Sequence, residues 1–315
     1  MTLTELKYIV ALARERHFGR AAEACLVSQP TLSVAIKKLE EELGVQLFER
    51  GGVEIAVTPI GVRIVEQAQH VLEQTSAIRA IAEQGQDPLA GPLRIGVIYT
   101  IAPYLLPELV RRTIDDASQM TLLLQENFTV RLLELLRQGE IDVAILADPF
   151  PDTGLVSLGV YDEPFVVVVP AAHPWAKRET IRSTELKEQT MLLLGHGHCF
   201  RDHVLEVCPE LSRYSQASVG IHKTFEGSSL ETIRHMVASG VGISVLPITA
   251  CNTPRSDDDL LSYVPFSAPP PTRRVSLVWR KSFTRLQAIE RLRQAILDCE
   301  LRGTIKLPDE RPVAH

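Results

Sequence analysis

The run LVSQPTLSVAIKKLEEELG, residues 26–44, is the tightest constraint on how this chain folds. Ser28 is placed to cap a helix, and Pro30 falls in its first turn, where a missing N–H costs nothing. Leu32, Ile36, Leu39 and Leu43 make one apolar stripe at helical spacing, and Gly44 stands where the helix should end. Upstream, Leu6, Ile9, Val10 and Ala13 predict an amphipathic helix up to about Arg16, and RAAEAC (20–25) a short, closely packing one. Helix, short helix, tight turn, helix is the order that presents a recognition helix to duplex DNA. Opposite the stripe lie Pro30, Ser33 and Lys37, with Gln29 and Thr31 near the helix start. Gln pairs with adenine, Ser and Thr serve base edges or phosphate, and Lys meets phosphate. FERGGVEIAVT (48–58) then reads as a hairpin turning at Gly51-Gly52, a wing with Arg50 set to touch DNA backbone or minor groove.

Composition neither demands nor forbids this. The net charge of -6 over 315 residues gives no global sign of nucleic-acid binding. Locally, however, residues 14–38 hold Arg14, Arg16, Arg20, Lys37 and Lys38 against Glu15 and Glu23. An ordinary solvated helix with a polar face is the alternative, and composition alone does not separate the two. The whole of FGRAAEACLVSQPTLSVAIKKLEEELGVQLFERGGVEIAVTPIG resembles, without a gap, the N-terminal domain of the LysR-type transcriptional regulators. The resemblance implies a winged helix-turn-helix that binds double-stranded DNA.

Thr58-Pro59 starts another helix, along which Ile64, Ala68, Val71, Thr75, Ile78 and Ala82 step by four and three, with Val65 and Leu72 widening the seam. The helix ends at GQDPLAGPL (85–93), a Gly/Pro-rich linker. Such a seam packs on its own domain or on a second copy. Its place between domains favours pairing, since a dimer holds two half-sites at once. The resemblance agrees: LysR-type regulators dimerise through such a helix and commonly form tetramers.

Beyond the linker, LRIGVIYTI, MTLLLQEN and IDVAIL read as strands, with helices from Pro103 to about Ala117 and over TVRLLELLRQG. The pattern restarts after FVVVVPAAHPWA, with TMLLLGHGH and VGISVLP as strands and FRDHVLEV and SLETIRHMVASG as helices. This alternation predicts parallel sheet in two α/β lobes around a cleft. Thr100, Thr129 and the 195–199 loop all fall just after strands or at helix starts, where ligands bind in such sheets. MVASGVGISVLP again resembles the LysR-type regulators, whose sensor is two-lobed like the periplasmic binding proteins. The fold expected is therefore α+β and multidomain. It comprises a winged helix-turn-helix (1–58), a dimerisation helix (59–86), a hinge (87–92), a two-lobed regulatory domain (93–302) and a flexible tail (303–315). No Walker-type glycine loop or HExxH signature occurs, so neither a cofactor nor a metal is expected. The longest apolar run, near Phe165–Val169, is far short of a membrane span, and Glu5, Glu15 and several arginines break any signal-peptide core. A cytoplasmic protein with no membrane association is expected.

GHGHCFRDHVLEVC (195–208) sets Cys199 and Cys208 among His196, His198, Arg201 and His203. A zinc site fits poorly, because structural zinc prefers two short paired spacings. Inert core packing is the usual fate of a cysteine and suits Cys25, Cys251 and Cys299; Cys199 sits in a His/Arg-rich turn instead. The third reading is redox chemistry. His198, Arg201 and a following helix start all favour a thiolate at Cys199, which attacks peroxide to give a sulfenic acid that Cys208 is placed to resolve. Were 199–208 one helix, the two Cα atoms would stand about 13 Å apart on opposite faces. A disulfide needs roughly 7 Å, so closing it requires the helix to unwind.

GHGHCFRDHVLEVC closely resembles the redox segment of the hydrogen-peroxide-sensing branch of the LysR-type regulators. The resemblance implies Cys199 as the peroxide-reacting thiol, Cys208 as its resolver, and a peroxide pocket of Thr100, Thr129, His198 and Arg201. It further implies a non-enzymatic activator of antioxidant genes that partners RNA polymerase and is reset by cellular thiol reductants. From sequence alone Thr100 and Thr129 serve equally as helix caps. Two rival functions stand beside this one: a LysR-type regulator that binds a small organic ligand in the cleft, and a thiol peroxidase enzyme, which leaves the first sixty residues without a purpose.

Overall fold

The computed structural model describes residues 1–49, 55–84, 89, 91–116, 120–150, 154–207, 224–251 and 258–314. The chain divides into two compact units, Met1–Asp87 and Pro88–His315.

In the first unit α1 (Leu3–Glu15), α2 (Phe18–Ala24) and α3 (Gln29–Leu43) are followed by the strands β1 (Phe48–Glu49) and β2 (Ala56–Val57) and the long helix α4 (Pro59–Gln84). Thr2 and Glu5 close a reciprocal capping box on α1. Ser28 caps α3 by accepting the Thr31 N–H at 3.4 Å, and Gly44 ends it at φ +66°. Leu32, Ile36 and Leu39 are fully buried against Ile9, Leu12, Leu47 and Phe48. Each such side chain stabilises the fold by about 1.5–3 kcal/mol. Leu43, read as the end of the stripe, is instead exposed, and Glu40 takes the inward place. The Glu40 carboxylate accepts the backbone N–H groups of Leu47 (2.8 Å) and Phe48 (3.2 Å), and so ties the recognition helix to the first wing strand. The wing strands pair antiparallel, Phe48 with Val57 and Glu49 with Ala56. The turn at Gly51-Gly52 lies outside the described residues.

α4 starts where expected: Thr58 Oγ1 accepts the Gly61 N–H at 3.0 Å and donates to the Gln46 carbonyl at 2.7 Å. A side chain at Gly61 would come within 2.3 Å of the Leu47 carbonyl, so glycine permits this close approach. The helix packs along α1, and this corrects part of the heptad reading. Ala68 is buried in the unit's own core, with Ile64, Val65 and Leu72 packed against that core. These positions turn inward because three short helices alone cannot cover their apolar faces. Farther along, Val71 and Ile78 are exposed, and Thr75 Oγ1 donates to the Val71 carbonyl at 2.9 Å.

The second unit runs β3 (Leu93–Ile98), α5 (Ala102–Asp116), β4 (Leu122–Asn127), α6 (Thr129–Arg137), β5 (Val143–Asp148), β6 (Leu155–Pro170), β7 (Met191–Leu194), α7 (Cys199–Val207), β8 (Thr224–Gly227), α8 (Leu230–Ala238), β9 (Ser244–Pro247), β10 (Leu261–Pro265), β11 (Thr272–Arg280), α9 (Leu286–Asp298), β12 (Ile305–Lys306) and β13 (Val313–Ala314). The main sheet has the order β10-β6-β11-β5-β3-β4 and is mixed rather than wholly parallel. β3 runs parallel to β4 and β5, whereas β11 is antiparallel to both β5 and β6. The difference from the sequence reading comes from β6 and β11, long strands joined to neither neighbour by a helix crossover.

β6 makes the lobes. Its first half (Leu155, Leu158, Val160, Tyr161) enters one core with β3, β5 and α9, and Phe165–Val169 enters a second with β7, β9 and α8. The expected tail is also built into the sheet. β12 and β13 pair antiparallel with β6, Glu310 meets Arg274 at 2.7 Å, and Arg293 donates to the Leu307 carbonyl at 3.0 Å. Polar composition misleads there, because backbone pairing to an open strand edge requires no apolar side chains.

Candidate functional site

Cys199 is the first residue of α7, and it sits where the two cores meet. Its side chain packs against the first, while the next residue, Phe200, is buried in the second. Three chain turns converge on it: the end of β3 brings Tyr99 and Thr100, the start of α6 brings Phe128 and Thr129, and the start of α7 brings Gly197 and His198. Together they line a hollow of at most about 170 Å³ of empty space, part of it open to solvent. The sequence-predicted residues Thr100, Thr129, His198 and Cys199 are thus brought together, and the first three are buried. Arg201 is not among the lining residues; it is buried beneath the turn and donates from Nη1 to the Leu194 carbonyl at 2.9 Å. Cys208 lies outside the described residues.

The electrostatics correct the sequence argument for a thiolate. Burial pushes the Cys199 pKa above the usual thiol range, and this outweighs the lowering by the Thr129 hydroxyl, Arg273 and the Phe200 N–H. His198 supplies no fixed cation, since burial pushes its pKa down despite a hydrogen bond with the Ser228 backbone. The cation acting on the sulfur is Arg273, which the sequence reading missed. It lies fully buried on β11, donating from Nε to Glu163 Oε2 at 2.7 Å and from Nη1 to Thr100 Oγ1 at 2.8 Å, with Nη2 on the Thr100 carbonyl at 3.0 Å. Its guanidinium carbon stands 5.1 Å from the centroid of the Phe200 ring. Glu163 is held in turn by Thr249, through the backbone N–H at 3.0 Å and the hydroxyl. Thr100 therefore accepts from a charged donor and keeps its own proton to donate, while Thr129 Oγ1 is buried without a hydrogen bond of ordinary geometry. No signal near Arg273 in sequence marks it, because its partner Glu163 is 110 residues away.

The other cysteines divide. Cys299 is buried, as expected of a core thiol, and burial pushes its pKa up to about 11. Cys25 and Cys251 are only partly buried. Around the lone His/Cys segment no cluster of three metal-ligating side chains forms among the described residues. Nor is any helix among them long and apolar enough to cross a membrane.

On the first unit, Ser28, Gln29, Pro30, Thr31 and Lys37 are exposed along the start of α3, and Ser33 is half-buried at its flank. The Ser28 and Thr31 hydroxyls share a hydrogen bond of 2.7 Å, and Lys37 reaches Glu41 at 3.7 Å with both side chains largely in solvent. Arg50 lies outside the described residues.

Comparison with known proteins covers both units. The model of bacterial regulatory helix-turn-helix proteins of the lysR family matches residues 3–62, and that of the LysR substrate binding domain matches residues 86–299. Full-length OxyR C199D from Pseudomonas aeruginosa is 50% identical, with a TM-score of 0.79 and 98% of each chain covered. An H2O2-bound cysteine-to-serine variant of Corynebacterium glutamicum OxyR is 33% identical, with a TM-score of 0.61 over 94% of this chain and 91% of that one. The DNA-binding transcriptional dual regulator OxyR of Escherichia coli K12 is 38% identical over 296 residues, 94% of this chain and 95% of its own. With the helix-turn-helix and the regulatory domain both matched along their lengths, the chain belongs to the LysR family of bacterial regulators, within its OxyR branch.

Proposed function

We propose that this protein is a cytoplasmic, peroxide-sensing transcription regulator whose switch is the oxidation of Cys199. The observation that carries the reading is the hollow itself, lined by a helix-start cysteine, two threonines and a buried histidine, with a fixed arginine hydrogen-bonded to Thr100. The thiolate attacks one oxygen of hydrogen peroxide, the O–O bond breaks, and hydroxide leaves to take up a proton, giving a sulfenic acid. Cys208 then displaces water from that acid to close the disulfide, and two thiols of a cellular reductant reopen it. Thr100 and Thr129 are suited to hydrogen-bond the peroxide oxygens, and Arg273, acting through Thr100, to stabilise charge on the leaving one. Arg201 takes the role of an anchor for the turn rather than a pocket wall.

Closing Cys199 onto Cys208 refolds the α7 segment, and that change alters how two or four copies space their recognition helices on DNA. Ser28, Gln29, Thr31, Ser33 and Lys37, with Pro30 shaping the helix start and Arg50 on the wing, contact the duplex. Val71, Thr75 and Ile78 contribute to pairing between copies, and contact with RNA polymerase follows on DNA. Peroxide is consumed once per cycle, as a signal rather than a substrate turned over.

The test is peptide mapping under non-reducing conditions after brief treatment with dilute hydrogen peroxide and thiol trapping. A fast, reductant-reversible Cys199–Cys208 cross-link is expected, together with loss of peroxide-dependent transcription in Cys199→Ser. If both thiols stay free while transcription still responds, the switch lies elsewhere.

A further inference from the structure

Leu32, Ile36 and Leu39 turn the apolar side of α3 fully into the core, yet Val34 on the same helix is 67% exposed. At helical spacing it lies about 160° round the axis from both Leu32 and Ile36, in the middle of the outward face. Pro30 and Thr31 stand one turn before it and Lys37 and Lys38 one turn after, all of them exposed. The other exposed large apolar side chain of α3, Leu43, ends the helix about 13 Å farther along. A surface valine taken singly needs no explanation. Its setting does, because an apolar protein partner excludes charge from the centre of its contact, and here two lysines adjoin the valine. A methyl group flanked by phosphates matches that arrangement, and the major groove of DNA supplies it wherever a thymine occurs.

Val34 is also held in place before any DNA arrives. β-Branching leaves valine one strongly preferred rotamer in a helix, so its two methyls lose little freedom on contact. The helix beneath them is anchored at its start by the Ser28 cap, which accepts the Thr31 N–H at 3.4 Å. Two turns later the Glu40 carboxylate binds the Leu47 and Phe48 N–H groups at 2.8 and 3.2 Å. Val34 lies in the second turn of α3, within the N-terminal part from which a recognition helix reaches base edges. The polar side chains around it distinguish hydrogen-bond donors from acceptors. The C5-methyl of thymine offers neither, and an apolar side chain is what reads it.

We propose that Val34 is a specificity-determining residue, which packs on the C5-methyl of one thymine in each half-site of the DNA. The inference rests on α3 being the helix that enters the major groove. It adds an apolar contact to the hydrogen bonds and phosphate contacts read for Gln29, Ser33 and Lys37, and it commits the protein to an A·T pair at that position.

The experiment first selects duplexes from a randomised DNA library with the reduced full-length protein. Each thymine of an enriched duplex is then replaced in turn by deoxyuridine, which lacks only the C5-methyl. Affinities of wild type and Val34→Ala are compared by fluorescence anisotropy. Wild type is expected to lose about four-fold in affinity at one thymine of each half-site, the worth of one buried methyl. Val34→Ala should bind the parent duplex more weakly and lose little further at that same thymine, since groups in direct contact are non-additive. The variant should fold as well as wild type, alanine being the better helix former at an exposed position, and thermal unfolding checks this. Deoxyuridine penalties that are absent in wild type, or equal in the two proteins at every thymine, overturn the proposal while leaving sequence-specific binding intact. If wild type enriches no sequence and Lys37→Ala binds DNA as wild type does, α3 does not enter the groove and the role of Val34 falls with it.

Discussion

The residues read for DNA contact come mainly from one stretch, Ser28 to Lys37, and nearly all of them stand in solvent. The hollow around Cys199 draws on Thr100, Thr129, His198 and, through Thr100, on Arg273, which lies 173 residues farther along the chain. The contrast is one of dielectric as well as of distance. On α3 the polar groups remain hydrated and their arrangement follows from helix geometry alone. Around Cys199 the polar groups are buried, and the partners that Thr100, Arg273 and Glu163 find in one another tie distant strands together. A surface reader tolerates exchange of its side chains, whereas a buried sensor is part of the fold.

The sharpest way to break that contrast is to remove one member of the buried pair. Arg273→Met takes the cationic partner from the buried Glu163 carboxyl and leaves it the Thr249 contacts. It is expected to destabilise the regulatory unit by about 3–5 kcal/mol in urea unfolding. A loss below about 1 kcal/mol would show the site to be far less integral to the fold than this.

The next effect is a pH dependence. Burial, and secondarily Arg273, push the His203 pKa from 6.5 down to about 4, against a hydrogen bond with the Asp148 backbone. The unfolded chain accepts the proton that the folded state resists. Stability is therefore full above pH 6.5 and falls as pH drops toward 4, by on the order of 3 kcal/mol in total. His203→Gln should flatten the unfolding free energy across that window, and a variant curve parallel to wild type would refute the assignment.

A smaller effect tests whether the first unit has a buried polar tie of its own. Glu40→Ala strands the Leu47 and Phe48 N–H groups, at an expected cost of about 1–3 kcal/mol to the winged unit. Hydrogen exchange at those two amides should report it directly.

Smallest in stability is Lys37→Ala, expected to stay within about 0.5 kcal/mol of wild type. Its effect belongs in the salt dependence of DNA binding, where the slope of log affinity against log salt should fall by about one. An unchanged slope would remove Lys37 from the phosphate contacts.

The helix caps, the α3 stripe and the alternating strands of the second unit were legible because each depends on neighbours within a turn or a strand. Ser28, Pro30 and Gly44 announce α3 from both ends, and Cys199 stood out because a cysteine among histidines and an arginine breaks the local pattern of a core. The misreadings share a cause. Leu43 and Glu40 exchanged the expected places of apolar and charged residues because the β1 backbone approaches α3 and presents N–H groups there. Ala68 was read as an intersubunit seam, yet its periodicity is equally that of a helix packing on α1. Residues 303–314 read as a free tail because main-chain pairing to β6 leaves no mark on composition.

The amino-acid sequence by itself determined the winged helix-turn-helix, the α/β regulatory domain, and the set of residues able to do redox chemistry. Local propensity and residue chemistry do not depend on distant contacts. Only the tertiary structure decided which cation acts on Cys199, which way its pKa moves, and which residues line the hollow beside it. Those properties are set by burial and by through-space distance, which arise when the β3, β4 and β7 ends are brought together on either side of β6.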